Sequence, residues 1–134
     1  MSDEPAPMVV FVCEYGSKKS VLAAAYFNQL AAEHGVRTRA VARGLNPDPT
    51  VPAAIRDTLA RDGIELDDSP PARMTDSELA SAERVVSFAE SVDAAAEKLD
   101  DWSEVPPLSE DFDGVRAEIR ARVARLFGAA GRPS

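Results

Sequence analysis

The sequence predicts an α/β domain in which a small parallel sheet lies between layers of helices, a three-layer arrangement. Continuous apolar runs rich in Val and Phe are typical of strands buried on both faces of a parallel sheet. Segments of helical composition separate these runs, as βαβ units require. The 134 residues fit a single domain over 1–134, with flexible ends expected at 1–7 and 129–134.

The first half of the chain predicts two strands and two helices. Residues 8–12 form a β-branched and aromatic run, and residues 36–42 alternate apolar side chains with Arg or Thr, so both indicate strands. Between them, residues 20–32 are rich in Ala and Leu and are followed by Gly35, which indicates a helix with a glycine stop. Residues 51–62 form a second such helix. The chain therefore begins with the order β-α-β-α.

The second half predicts a third strand and three further helices. Residues 75–78 read Thr-Asp-Ser-Glu, which is the spacing of a capping box and indicates the start of a short helix. Its end leads into residues 84–88, the third predicted strand. Residues 94–99 favour another helix, and a Pro-containing loop follows. Residues 115–127 place apolar side chains on one face, as in an amphipathic helix packed on the sheet.

The chain is acidic, with 23 Asp and Glu against 15 Lys and Arg and a formal charge of −8. Proteins that bind nucleic acid or anionic membranes need a surplus of cations, so neither partner is expected. No stretch approaches the length of an apolar membrane span, and the first residues have neither the positive start nor the apolar core of a signal peptide. A cytoplasmic location is therefore expected.

Cys13 is the single cysteine of the chain. An internal disulfide is excluded, and a structural zinc site would lack its usual thiolates. We expect no metal and no other cofactor. Cys13 ends the first predicted strand and opens the loop Cys-Glu-Tyr-Gly-Ser-Lys-Lys-Ser at 13–20. In an open parallel sheet, ligands bind beyond the carboxyl ends of the strands, and we therefore expect the ligand site at this loop.

The composition of this loop favours an anion as the ligand. Gly16 allows the backbone to turn its N–H groups inward, Ser17 and Ser20 add hydroxyl donors, and Lys19 places a cation at the start of the helix. A lone cysteine after a strand is most often a small buried apolar side chain. The glycine turn, the cation and the serine at these spacings instead favour an oxyanion site in which Cys13 is a thiolate.

The same loop resembles that of a known family. A strand, Cys13, five residues, a cation at Lys19 and then Ser20 opening a helix are similar to the C-x5-R-S loop of the low-molecular-weight protein tyrosine phosphatase and arsenate reductase family. The likeness extends to the final helix through segments 42–45, 62–64, 74–76 and 85–87, and so covers nearly the whole chain. It implies the flavodoxin-like sheet of that family, flanked by helices.

The resemblance implies roles for the loop residues. Cys13 is implied to be the nucleophile, Ser20 to hydrogen-bond its thiolate, and Lys19 to be the catalytic cation. The attack produces a covalent phosphocysteine that water then hydrolyses. The amides of the loop are implied to bind the phosphate. The substrate-binding residues implied in this way are Glu14, Tyr15, Gly16, Ser17 and Lys18.

Two departures from the family pattern predict weakened activity. Lys19 stands where the family has Arg, and an ammonium lacks the planar fork with which a guanidinium binds two oxygens. The acidic Asp-Pro pair of the family falls on Pro106 and Pro107, so the usual general acid is missing. Glu104 lies two residues away and is a weak candidate to replace it, against the simpler reading as a surface carboxylate.

Three functions remain open at this point. The leading one is hydrolysis of a phosphomonoester such as phosphotyrosine. The second is arsenate reduction with an external small thiol such as glutathione or mycothiol, because a shuttle between protein cysteines needs more thiols than this chain has. The third is a non-catalytic oxyanion-binding or regulatory protein. Tyr15 and Trp102 are compatible with either pocket walls or core.

Overall fold

A computed structural model describes residues 7–89, 92 and 98–130. It shows a five-stranded, fully parallel sheet in the order β3-β2-β1-β4-β5, with helices on both faces, which confirms the predicted α/β class. The strands are β1 Met8–Cys13, β2 Arg39–Gly44, β3 Ala72–Arg73, β4 Arg84–Ser87 and β5 Leu99–Asp101. The helices are α1 Lys19–Glu33, α2 Ala53–Arg61, α3 Asp76–Ser81 and α4 Phe112–Ala130.

The central strand β1 is buried on both faces, as its unbroken apolar sequence requires. Val9 and Phe11 point into the larger core, which α1, α2 and α4 cover, while Val10 and Val12 point into the smaller core beside α3. All four side chains are fully excluded from solvent. This alternation follows from the two-residue period of a strand, and it fixes the register of β1.

Helix α1 is also enclosed on most sides, because it lies between the sheet and α4. Nine of its fifteen residues are buried. Alanine dominates this helix, and its small side chain lets the neighbouring backbones approach closely while keeping a high helix propensity. The helix that begins at the Cys13 loop is therefore held firmly by the core.

The predicted boundaries shift at β2, and two short strands were not predicted. Residues 36–42 were expected, but β2 runs from Arg39 to Gly44, because the Val36 amide donates to the Ala31 carbonyl (2.9 Å) and closes the end of α1. β3 and β5 have only two and three residues, too few to show a period. The helix expected over 94–99 is wrong at Leu99, which begins β5; residues 94–97 lie outside the described residues.

The expected flexible ends also lie largely outside the described residues, and α4 extends to Ala130. The capping box is confirmed, since the Thr75 hydroxyl accepts from the Glu78 amide and the Glu78 carboxylate accepts from the Thr75 amide. His34 is the C-cap of α1. Of the helices that the structure describes, none is long and apolar enough to cross a membrane.

The strand order places a crevice at the end of β1. The chain adds β2 on one side of β1 and returns to add β4 on the other, so the connections diverge beyond the carboxyl end of β1. A crevice of this kind is where open parallel sheets bind ligands. Cys13 is the last residue of β1 and lies at this point.

Candidate active site

The turn from β1 to α1 leaves backbone N–H groups available at the start of the helix. Helix α1 begins at Lys19, and its N-cap residue, Lys18, makes no capping hydrogen bond with its side chain. No acidic residue occupies the first turn. The uncapped amides and the positive end of the helix dipole therefore favour an anion here.

Two glycines allow this turn to cross the end of β2 at close range. Gly16 has a φ of +63°, and a Cβ placed on it would lie 2.7 Å from the Gly44 nitrogen. A Cβ placed on Gly44 would lie 2.7 Å from the Gly16 nitrogen in return. Since real side chains do not tolerate such distances, only glycine fits at either position.

The carbonyl groups of the turn bond to the segment that follows β2. Leu45 donates to the Cys13 carbonyl (3.2 Å), and Asn46 donates to the Glu14 carbonyl (2.7 Å). Asp48 donates to the Tyr15 carbonyl (3.0 Å). In a planar trans peptide the N–H lies opposite the carbonyl, so the amides that follow these carbonyls point away from this segment. This is the arrangement that a concave anion site needs.

Cys13 and Ser20 are paired at the base of the turn. The Cys13 Sγ lies 3.0 Å from the Ser20 Oγ, and both residues are buried. A hydroxyl that donates to a thiolate stabilises the charged form. The geometry thus brings together the two residues that the sequence placed at the start and end of the loop.

Ser17 has a different partner from the one expected. Its hydroxyl donates to the Asp48 carboxylate at 2.7 Å, and the residue is fully buried. The hydroxyl is therefore committed to holding the turn against the segment after β2. Its backbone amide remains the group that it can offer to a ligand.

Lys19 lies beside the cavity and reaches across to the loop before α4. Its ammonium donates to the Val105 carbonyl at 3.1 Å and lies 5.4 Å from the centre of the Phe88 ring. Burial lowers the pKa of Lys19 below its ordinary value, and the nearby Cys13 thiolate opposes this shift by favouring the charged ammonium. The remaining N–H donors of the ammonium are available to an anion.

A cavity of about 280 Å³ opens above Cys13. Phe88 and Leu108 give it apolar walls, and Pro107 joins them from the loop before α4. Tyr15 stands at the mouth and is 54% exposed, while Glu14 and Lys18 are also exposed there. The lining residues are Cys13, Glu14, Tyr15, Ser17, Lys18, Lys19, Phe88, Ala89, Pro107, Leu108 and Ser109.

Glu104 lies outside this cavity. Its carboxylate pairs with Arg122 at 2.6 Å, in a separate surface groove that also includes Pro106. The hydrogen bond from Arg122 lowers the pKa of the Glu104 carboxyl below its usual value. A carboxylate held in its ionised form by a guanidinium is a poor proton donor, so the structure gives no support to Glu104 as the general acid.

Trp102 belongs to the core beneath the cavity. Its ring lies 6.0 Å from that of Phe11 and 5.7 Å from that of Phe88. The sequence left open whether Tyr15 and Trp102 line the pocket or belong to the core. Tyr15 borders the cavity, whereas Trp102 does not. In the part of the chain that the structure describes, no three His, Cys, Asp or Glu side chains form a group that could hold a metal ion.

The sequence reasoning missed Asn46, Asp48 and the Val105 carbonyl. A signal for the first two was present, because the polar run Asn-Pro-Asp-Pro follows β2 and the carboxyl ends of parallel strands meet at one sheet edge. The contact of Val105 with Lys19 uses a main-chain oxygen 86 positions away, and no side-chain pattern reveals it.

Comparison with known proteins places most of the chain in one family. Residues 8–105 match the sequence model described as low molecular weight phosphotyrosine protein phosphatase. A search of curated proteins finds no significant match.

Solved structures with the same fold include reductases and phosphatases. A thioredoxin-dependent arsenate reductase of Corynebacterium glutamicum is 21% identical with a TM-score of 0.79 over 96% of this chain, which spans 63% of that longer protein. YfkJ of Bacillus subtilis is 18% identical, with a TM-score of 0.79 and 96% coverage of both chains. A low molecular weight protein tyrosine phosphatase from T. tengcongensis is 20% identical, with a TM-score of 0.78 over 92% of this chain and 99% of that one. At these identities the likeness establishes the fold.

Proposed function

Because the chain belongs to the low molecular weight phosphotyrosine protein phosphatase family, we propose that it hydrolyses phosphomonoesters through a phosphocysteine on Cys13. The observation that carries the proposal is the Cys13 Sγ at 3.0 Å from the Ser20 Oγ, at the base of a turn whose amides are free to bind an oxyanion. A thiolate in such a site is both stabilised and positioned for attack.

The proposed reaction has two steps. The Cys13 thiolate attacks phosphorus, an S–P bond forms, and the bond from phosphorus to the leaving oxygen breaks. Water then attacks the phosphocysteine, the S–P bond breaks, and phosphate is released with the thiolate restored. The amides of the turn stabilise the charge that develops on the equatorial oxygens in both steps.

Lys19 gives this site less hold on the transferring group than the arginine of the family. One of its N–H donors is directed to the Val105 carbonyl, and the ammonium is partly desolvated beside Phe88. A flexible ammonium also lacks the two parallel hydrogen bonds of a guanidinium. We therefore propose that the chain is a phosphatase with a lower catalytic rate than family members that have the arginine.

The cavity walls favour an aryl phosphate as substrate. Phe88, Leu108 and Pro107 form apolar walls, and the exposed Tyr15 ring stands at the mouth. An aromatic leaving group can bury its ring against these side chains while its phosphate reaches the turn. The phosphotyrosine side chain has this shape.

Arsenate reduction is the second candidate, favoured by the similarity of the fold to that of solved arsenate reductases. Arsenate carries the same charge as phosphate and can occupy the same turn. Because the chain has one cysteine, the resulting Cys13 adduct needs external thiols such as glutathione or mycothiol. One thiol attacks the Cys13 sulfur, so that the S–As bond breaks, arsenite leaves and a mixed disulfide remains on Cys13; a second thiol reduces that disulfide and restores the thiolate.

A parallel assay separates the candidates. The purified chain and its Cys13→Ser variant are incubated with p-nitrophenyl phosphate, and with arsenate plus glutathione or mycothiol. Release of p-nitrophenol that is lost in the variant is the expected result. Reduction of arsenate in the presence of the thiol, with no hydrolysis of p-nitrophenyl phosphate, favours the second candidate. Phosphate binding without turnover of either substrate leaves a non-catalytic oxyanion-binding role.

A further inference from the structure

The geometry points to Glu14 as the group that protonates the leaving oxygen, and we propose this role, which rests on the proposed phosphatase function. The resemblance places the family's acid at Pro106, which has no proton to give, and Glu104 is paired with Arg122 away from the cavity. Among the described residues that line the cavity, Glu14 is the one with a carboxyl group.

The position of Glu14 relative to Cys13 suits this role. Cys13 is 7% exposed and lies at the base of the cavity, whereas the neighbouring Glu14 is exposed at its mouth. In an in-line displacement the nucleophile and the leaving group lie on opposite sides of phosphorus. A thiolate that attacks from the base therefore drives the leaving oxygen toward the mouth, which the exposed Glu14 lines.

Asn46 holds Glu14 in place at two points. The Asn46 main-chain N–H donates to the Glu14 main-chain carbonyl at 2.7 Å. The Asn46 side-chain Nδ2 donates to the Glu14 Oε1 at 2.9 Å. Such a double contact restrains a side chain that would otherwise rotate freely at the surface. Oε1 accepts this contact, and Oε2 has no hydrogen-bond partner among the described residues, so Oε2 is the carboxyl oxygen that remains for contact with the leaving group.

The proton balance closes over the two steps. As the S–P bond forms and the bond to the leaving oxygen breaks, the proton on the Glu14 Oε2 passes to that oxygen, which departs as a neutral alcohol or phenol. The ionised Glu14 then takes a proton from the water that attacks the phosphocysteine. The carboxyl returns to its protonated state, and no further reactant is needed.

Leaving-group dependence tests this role. Turnover of p-nitrophenyl phosphate, whose leaving group is weakly basic, is compared with that of an alkyl phosphate for the native chain and for Glu14→Gln. We expect the alkyl phosphate rate to fall by about 10²–10⁴-fold and the p-nitrophenyl phosphate rate to change far less. Glu110→Gln, an exposed carboxylate outside the cavity, is the matched control and should keep the native dependence.

Several results would overturn the role of Glu14 while leaving the proposed phosphatase function in place. These are an equal loss for both substrates in Glu14→Gln, no loss at all, or a loss selective for the alkyl phosphate in Glu104→Gln. Asn46→Ala should shift the leaving-group dependence in the same direction as Glu14→Gln, by a smaller factor. Absence of any Cys13-dependent turnover of p-nitrophenyl phosphate would instead remove the proposed function, and this role with it.

Discussion

The contact between Cys13 and Ser20 brings together two side chains seven positions apart at the proposed reactive centre. The strand ends at the cysteine and the helix includes the serine in its first turn, so the backbone must fold back to bring them within 3.0 Å. Both are buried, and the hydroxyl replaces the water that would otherwise solvate a thiolate. The strength of this single hydrogen bond therefore bears directly on the reaction.

Ser20→Ala should lower the turnover of p-nitrophenyl phosphate without removing it. A hydrogen bond to a charged group contributes about 1.5–3 kcal/mol, which corresponds to a loss of roughly 10- to 100-fold in kcat/KM. Cys13→Ser, by contrast, should abolish turnover. Equal rates for Ser20→Ala and the native chain would show that the thiolate does not depend on this hydroxyl.

Lys19 should give the reaction an alkaline limit. Since burial lowers its pKa below the ordinary 10.5, its ammonium is lost at a lower pH than that of a free lysine, and kcat/KM should decline in this range. Lys19→Arg should raise turnover for all leaving groups alike and remove the decline, since guanidinium stays charged. The exposed Lys18, changed to Arg, is the control and should leave the decline in place.

Loss of the Lys19 proton at high pH should have opposite effects on the rate and on the stability of the fold. A lowered folded-state pKa means that the protonated side chain is less favourable in the fold than in the unfolded chain. The free energy of unfolding should therefore rise with pH between the folded-state pKa and 10.5. A pH series of urea unfolding curves, compared with those of Lys19→Met, measures this difference.

The crossing of the β1–α1 turn over the end of β2 is the main device at the scale of elements. Gly16 and Gly44 approach each other through backbone atoms alone, and three main-chain and two side-chain hydrogen bonds join the turn to the segment after β2. The ligand site thus depends on how β1 and β2 end, and on the loops that follow both strands.

Substitution of these glycines by alanine distinguishes two causes of lost stability: the clash where the turn crosses β2, and the strain of a positive φ. Gly35→Ala is the control, because its φ of +65° matches that of Gly16 but nothing lies within 4 Å of the added Cβ. The control should cost about 1–2 kcal/mol. Gly16→Ala should cost a further ~1–3 kcal/mol through the clash with Gly44, and Gly44→Ala should show the clash alone. Denaturant unfolding measures all three, and equal losses for Gly16→Ala and Gly35→Ala would contradict the crossing.

Elements with a strong internal pattern could be predicted from the sequence. The apolar run of β1, the Ala-rich α1 and the Thr75 capping box were all found in this way, because each depends on neighbours in the chain. β3 and β5 could not, because they owe their extended form to pairing with β2 and β4 at the sheet edges. β5 even carries two Asp, a residue that strands seldom contain.

The same distinction applies to the site. Cys13, Lys19 and Ser20 belong to one local loop, so their association could be predicted. The hydrogen bond from Asn46 to Glu14 joins residues 32 positions apart, and the hydrogen bond from Lys19 to Val105 joins residues 86 positions apart. Such contacts depend on the packing of the whole chain. The sequence predicted the loop at which we propose that a ligand binds, but it did not indicate which contacts hold that loop in place.

At the scale of the whole molecule, a polar network anchors the helix that carries the site. The Tyr26 hydroxyl of α1 donates to Asp62 at 2.6 Å, just after α2. Arg116 of α4 donates to Asp62 at 3.3 Å, and Arg120 lies 3.5 Å from the same carboxylate. Three helices on one face of the sheet are therefore joined at one carboxylate, and the position of α1 is fixed well away from the cavity.

Tyr26→Phe should lower stability by about 1 kcal/mol and leave kcat nearly unchanged, because Asp62 keeps its two arginine partners. Burial, with the Asp62 contact second, raises the pKa of Tyr26 above 10.0. The stabilisation is fully present below pH 10.0 and is lost as the pH rises through the folded-state value. Unfolding curves of the native chain should thus approach those of the variant at high pH; a constant difference would contradict this.

The central claim is that Cys13 becomes phosphorylated during turnover, and intact-mass spectrometry after rapid acid quenching tests it most directly. The native chain, mixed with saturating p-nitrophenyl phosphate, should gain the mass of one phosphoryl group, and peptide mapping should place that group on Cys13. The Cys13→Ser variant should show neither adduct nor turnover. Continued turnover by the native chain with no adduct on Cys13, or turnover by the Cys13→Ser variant at the native rate, would contradict the account.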